Sequence, residues 1–162
     1  MKRYIRSDVV DLMDEDPLDT INPIAANPNT RLSTLKQIYE SGDVFALQGL
    51  ALNPNIPIEM ARGLAKSDMR SVKFALASNH NLPDEILYIL ANDENADIRD
   101  QVARNPNAPH DLLLKLAKDE AAAVRYALVF NLSLAKDILQ ILRKDPDFDI
   151  SRRAAELLAD TE

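Results

Sequence analysis

The chain has 162 residues, of which 46% are hydrophobic and 28% charged, with a formal net charge of −7 and no cysteine. Such a composition belongs to an ordinary soluble globular protein of about one domain, and the missing thiols exclude disulfides, zinc–thiolate centres, iron–sulfur clusters and a cysteine nucleophile. The acidic balance argues against general affinity for nucleic acid or an anionic membrane, because both depend on clustered Lys and Arg.

The opening stretch, MKRYIRSDVVDLMDEDPLDT, begins basic but holds no apolar run long enough for a secretory leader or a membrane span, and acids follow at once. The expectation is a cytoplasmic chain with no membrane contact, in which residues 1–19 form an N-terminal capping segment. Asp11, Asp14, Glu15, Asp16 and Asp19 lack the spacing of a metal loop and read as a solvated face.

From residue 20 to residue 162 the chain repeats. Asparagine stands at 27, 53, 79, 105 and 131, a constant step of 26 residues. Two positions on comes Asn29, Asn55, Asn81, Asn107 and then Ser133; Asn and Ser both accept hydrogen bonds from free N–H groups, so this column is expected to N-cap a helix. Pro57, Pro83 and Pro109 then fall in the expected first turn, followed by Glu59, Asp84 with Glu85, and Asp111 on the positive end of the helix dipole. Leucines and isoleucines at helical spacing, such as Leu112, Leu113 and Leu116, complete a first helix. A second amphipathic helix follows, as in VKFALASN, IRDQVARN and VRYALVFN, and ends at the next Asn. Helices of about 11 and 9 residues are too short to persist alone and must stack on their neighbours. The reading is an all-α fold, an α-solenoid of about five two-helix units with a final half-unit from Phe148 to Ala159.

The second helix can be read by column. Positions seven, four and three before its terminal Asn are mostly apolar, as in Val72, Ala75 and Leu76, and form the core stripe. The position two before it holds Ala25, Ala51, Ala77, Ala103 and Val129, small residues that suit close helix contact. Positions five and one before it differ in every unit: Gln48 and Leu52, Phe74 and Ser78, Asp100 and Arg104, Tyr126 and Phe130, with Phe45 extending the same face. A face that the repeat leaves free yet supplies with aromatic rings is the candidate partner-binding surface.

Lys73, Arg99 and Arg125 recur in one column, with Asp93 and Asp119 six residues before the two arginines. This pattern is read as an acid–base ladder between units rather than a phosphate-binding stripe. Asp145, Asp147, Asp149 and Glu156 imitate four acids of a calcium loop, but Ile150 replaces its glycine and Pro146 interrupts it. His80 and His110 have no partner arrangement for catalysis, and the three glycines form no phosphate cradle. No catalytic residue, metal or cofactor is expected.

The pattern Ala-x-Asn-Pro-Asn-x-Pro, then Leu-Leu-x-x-Leu-Ala-x-Asp, then Val-Arg, resembles the variant leucine-rich repeat, a HEAT/armadillo-like helical repeat; residues 98–125 carry it best. The resemblance implies a curved superhelix used as a binding scaffold without activity of its own. The period here is longer than is usual in that family, and the cysteine cluster of one member is missing, which removes an iron–sulfur role. The expected function is a non-catalytic protein–protein interaction scaffold for an as yet unidentified protein partner. Two alternatives are a nucleic-acid-binding HEAT-like protein and an acidic decoy that occupies a basic protein's nucleic-acid site.

Overall fold

The computed structural model describes residues 22–160. The capping segment expected at residues 1–19, with Asp11, Asp14, Glu15, Asp16 and Asp19, lies outside these. All regular structure among the described residues is helical. In chain order the helices are α1 (Pro23–Ala26), α2 (Leu32–Ser41), α3 (Val44–Leu52), α4 (Ile58–Ala65), α5 (Arg70–Ala77), α6 (Asp84–Leu90), α7 (Ala96–Arg104), α8 (His110–Leu116), α9 (Ala122–Leu128), α10 (Lys136–Leu142) and α11 (Phe148–Ala159). The even-numbered, first helices begin at Leu32, Ile58, Asp84, His110 and Lys136, and the second helices from α3 onward begin at Val44, Arg70, Ala96, Ala122 and Phe148. Both series keep the step of the asparagine column. Each second helix from α3 onward packs on the first helix just before it, and the second helices contact one another in order from α1 to α11.

The links between second and first helices are organised by the asparagines at 53, 79, 105 and 131. Each side-chain Oδ1 accepts the N–H two residues on, at 2.8–2.9 Å, from Asn55, Asn81, Asn107 and Ser133. Each Nδ2 reaches back one unit. Asn53 donates to Ala25 O and Asn27 O at 2.7 and 2.8 Å, Asn79 to Ala51 O and Asn53 O at 2.9 Å, Asn105 to Asn79 O at 3.1 Å, and Asn131 to Ala103 O and Asn105 O at 2.9 and 3.0 Å. All four side chains lie in buried residues. A buried carboxamide that satisfies its own turn and the carbonyls of the preceding turn is both a stop signal and a cross-tie.

This geometry corrects the expected N-caps. The helices start three residues later than Asn55, Asn81 and Asn107, and the N-cap residues are Pro57, Pro83, Pro109 and Ala135, none of which makes a side-chain cap. The reason is the turn itself: the Asn53 turn, closed by Ile56 N–H donating to Asn53 O, takes up the Asn55 N–H and leaves that residue outside the helix. Asn55 and Asn107 use their amides on Pro28 O and His80 O, one unit back, at 2.9 and 2.7 Å. Proline at the N-cap rather than inside the first turn costs nothing, because its extended backbone is what a cap adopts. Side-chain capping belongs to the second helices instead, through Asp43, Asn95 and Asp147.

The links between first and second helices use the same turn with a carboxylate. Asp93, Asp119 and Asp145 accept the N–H two residues on, from Asn95, Ala121 and Asp147. They also receive Lys73 at 2.5 Å, and Arg99 and Arg125 through two bonds each at 2.7–3.1 Å, from the unit before. Arg99 and Arg125 further donate to carbonyls of their own link, Asp93 O and Glu94 O, and Asp119 O and Glu120 O. The acid–base column is therefore an inter-unit ladder, with the carboxylate partner lying in the following unit. Burial opposes ionisation of Asp119 and Asp145, but the guanidinium bonds and the turn N–H outweigh it and hold both carboxyls below their ordinary range. Earlier in the chain the rung is absent at both ends at once: Leu47 takes the cation's column and Ser67 the acid's.

Core side chains run the length of the described chain. Leu50, Leu76, Val102 and Leu128 of the second helices and Leu87, Leu113 and Leu142 of the first are among those closed to solvent. Replacing Asn79 by Ala should strip the Ala51 and Asn53 carbonyls and the Asn81 N–H of their partner, at roughly 1–3 kcal/mol for each buried group left unsatisfied. Asn79→Asp keeps the turn acceptor but aims a carboxylate at two carbonyls, so its denaturant midpoint should lie no higher than that of the Ala variant. Asn107→Ala, which loses one exposed bond, should cost far less.

The ionic ladder gives a pH dependence whose sign follows from the depressed carboxyls. The unfolded chain takes up protons first as pH falls through the ordinary Asp value of about 3.8, so the ladder's contribution is complete above that value and is lost as pH falls through the folded values. The denaturant midpoint of the wild type should drop steeply below about pH 4. Asp119→Asn should lower the unfolding free energy by roughly 3–5 kcal/mol at neutral pH, since it leaves the Arg99 charge buried without its carboxylate, and should flatten part of the acid drop.

Candidate functional site

The residues singled out on the second helices emerge on one side of their helices. Phe45, Phe74, Tyr126 and Phe130 are 56%, 40%, 39% and 47% exposed. Arg104 is exposed too, while Gln48, Leu52, Ser78 and Asp100 are half-buried. The columns beside them point the other way: Ala51, Ala77, Ala103 and Val129 are buried between neighbouring second helices, as their small size requires.

Sequence spacing does not reveal how four of these residues meet. Asp100 and Arg104, one turn apart on α7, form a two-point ion pair at 2.8 and 3.2 Å. The guanidinium carbon of Arg104 sits 5.4 Å from the centre of the Phe130 ring just past α9, and Phe130 meets Tyr126 edge to face at 5.1 Å. The bond to Asp100 raises the Arg104 pKa above its ordinary value, with burial acting against it and the charge of Asp100 adding to it. Asp100 fixes Arg104, Arg104 lies over Phe130, and Phe130 is braced by Tyr126, so the cluster is preorganised across two units. Ser78 also crosses units, donating to Gln101 Oε1 at 3.2 Å. Phe45 and Phe74 stand apart from this cluster, with no ring partner of their own among the described residues.

Every Lys and Arg within the second helices has a carboxylate partner. Arg70 meets Asp97, Lys73 meets Asp93, Arg99 meets Asp119, Arg104 meets Asp100, Arg125 meets Asp145, Arg152 meets Asp149 and Arg153 meets Glu156. The face is thus aromatic and locally neutral although the chain is acidic. The acids that imitate a calcium loop have separate employment: Asp145 is a ladder rung, Asp147 caps α11, and Asp149 and Glu156 pair with arginines.

The first helices present a different surface, one used up by contacts between units. Arg62 bridges Glu59 and Glu85, Tyr88 donates to Asp111, Lys115 to Asn92, and His110 meets Asp137 at 2.9 Å. The hydrogen bond to Asp111 pushes the Tyr88 phenol up to about 12, as expected for a donor whose loss would set two anions side by side. His80 is exposed, and its carbonyl serves Asn107. An open cleft of about 460 Å³ lies between two link loops, lined in part by Ser67, Lys73 and Asp93. It falls where Lys73 replaces the ladder's arginine, so that no guanidinium ties the Ser67 and Asp68 carbonyls.

No family model matches the chain, and neither the curated proteins nor the solved structures contain a match to it.

Truncating the outward rings and truncating the core of the same helix should have unequal effects. Tyr126→Ala with Phe130→Ala removes an edge-to-face pair and a cation–π contact, at roughly 1–2 kcal/mol together. Leu128→Ala, on the fully buried stripe of the same helix, should cost roughly 2–5 kcal/mol. Chemical denaturation of both variants checks the difference; an equal loss would make the rings packing residues.

Proposed function

We propose that the chain is a non-catalytic protein-interaction scaffold: an α-solenoid of the HEAT/armadillo-like kind, similar to the variant leucine-rich repeat, that holds a protein partner on the outward face of its second helices. The observation that carries this reading is the exposed Asp100–Arg104–Phe130–Tyr126 cluster, with Phe74 and Phe45 exposed in earlier units. Aromatic and arginine side chains fixed before binding lose little entropy on contact, which is why they anchor interfaces. The solenoid arrangement is supported by the constant step of helix starts, by the asparagine ladder that joins successive links, and by the ionic ladder from Lys73 onward. The pairing of all second-helix cations favours a protein over a nucleic acid, since phosphates would have to displace carboxylates already in place.

The partner surface that fits is apolar and neutral at its centre, so affinity should owe little to ionic strength. Capture from host lysate with the wild type and with the Tyr126→Ala/Phe130→Ala variant, followed by titration of the recovered protein, tests this. Anchoring rings should make the variant bind about 30-fold more weakly, equivalent to about 2 kcal/mol. Binding that falls steeply with salt and survives the double substitution would replace this reading with the acidic-decoy one.

A further inference from the structure

The open cleft beside Lys73 lies at the weakest rung of the ionic ladder, and the two rungs after it show what such a place can hold. Arg99 and Arg125 each use three nitrogens. Nε and Nη2 grip the carboxylate of the next link, Asp119 or Asp145. Nη1 donates to two consecutive carbonyls of the arginine's own link: Asp93 O and Glu94 O at 2.9 and 3.0 Å, and Asp119 O and Glu120 O at 2.8 and 3.2 Å. One period before Arg99 the cation is Lys73, its carboxylate is Asp93, and the two carbonyls belong to Ser67 and Asp68.

The link at Ser67 has the backbone of the links at Asp93 and Asp119. Ser67 N–H donates to Leu64 O at 3.1 Å, as Asp93 and Asp119 N–H do to Leu90 O and Leu116 O at 3.1 and 3.0 Å. The residues that open the following helices, Met69, Asn95 and Ala121, share φ of −82°, −83° and −80° with ψ of 93°, 116° and 119°. The Ser67 and Asp68 carbonyls therefore stand as the pair that Nη1 takes in each of the next two units. Lys73 spends its ammonium on Asp93 Oδ2 at 2.5 Å, and one nitrogen cannot span what a guanidinium reaches with three. Among the described residues, no other group donates to these two carbonyls.

We infer that this cleft is a binding site for a guanidinium group, which donates to Ser67 O and Asp68 O from outside the chain as Arg99 and Arg125 donate within it. The charges of the lining admit a cation. Asp93 offsets Lys73 and Asp97 offsets Arg70, which leaves Lys66 beside two exposed carboxylates, Asp68 and Glu94, as the remaining charges of the lining. Ile89, half-buried against the core, supplies an apolar wall for the methylenes that carry such a group. Two carriers share this chemistry, an arginine side chain on a protein and the free amino acid. The inference rests on the geometry of the links and is independent of the aromatic face.

Titrating the isotope-labelled full chain with N-acetyl-arginine amide, and following the carbonyl and amide NMR shifts of Ser67, Asp68 and Met69, tests it. Saturable shifts centred on these residues are expected, half-complete at about 1–10 mM, as suits a few solvent-accessible hydrogen bonds. No saturable shift by about 100 mM overturns the proposal. Equal binding of N-acetyl-lysine amide overturns it too, since the cleft would then be a general cation site. Lys73→Arg supplies the group from within and completes the rung, so it should abolish the shifts and raise the denaturant midpoint; a folded Lys73→Arg chain that binds the probe as the wild type does contradicts the site. Free arginine separates the two carriers: tighter binding than the blocked probe assigns the site to the amino acid, and equal or weaker binding assigns it to a side chain on a protein.

Discussion

The buried asparagine carboxamide is the interaction on which the rest of this structure depends. It needs an acceptor for its own turn and a donor for carbonyls one unit back, on a side chain short enough to close a two-residue loop. Aspartate lacks the donor, serine lacks the reach to serve two carbonyls while accepting, and glutamine is a methylene too long. Because Asn79 touches Ala51 O and Asn53 O while its own carbonyl receives Asn105, each rung is built on the one before. A residue inserted between two rungs would move one of them out of reach, so the constant period is a mechanical condition rather than a statistical habit.

The second ladder shows the same turn adapted to a different neighbour. Where the preceding unit offers carbonyls the turn residue is Asn, and where it offers a cation the residue is Asp. The carboxylate's two oxygens divide the work, as in Asp119, whose Oδ1 accepts both Ala121 N and Arg99 Nη2 while Oδ2 accepts Arg99 Nε. A buried ion pair stabilises little by itself once desolvation is counted, but a misplaced one is expensive. Its effect here is to penalise wrong register, and the joint replacement by Leu47 and Ser67 avoids leaving one charge alone.

Much of this architecture was legible in the sequence because both ladders demand identical residues at identical spacing. The column of Asn53, the alanine column and the Asp–Arg column each follow from one contact repeated from unit to unit, the last of them only from Lys73 onward, and repetition is what a single sequence can display. The cap assignment failed for a related reason: Asn55 and Asn107 have cap chemistry, yet a two-residue difference in where the turn closes sends their amides to another unit. The Arg104–Phe130 contact was invisible because it occurs once, between columns that vary. Exposure of Phe74 and Tyr126 followed from helical phase, whereas the pairing of every second-helix cation required side-chain geometry.

The division of labour between the two helix faces follows from the same constraints. On the first helices, polar side chains are committed across units, as in Arg62 with Glu85 and His110 with Asp137, so a substitution there disturbs a neighbour. On the second helices, the core stripe, the alanine column and the ladder cations occupy the positions that touch other units, which leaves the columns of Phe74 and Phe130 with the weakest structural demands. Residues in those columns can change from Gln48 to Phe74 to Asp100 to Tyr126 without breaking a rung. A surface whose composition is free of the fold's requirements is where recognition can vary at little cost to stability, and the aromatic cluster spanning α7 and α9 occupies that surface.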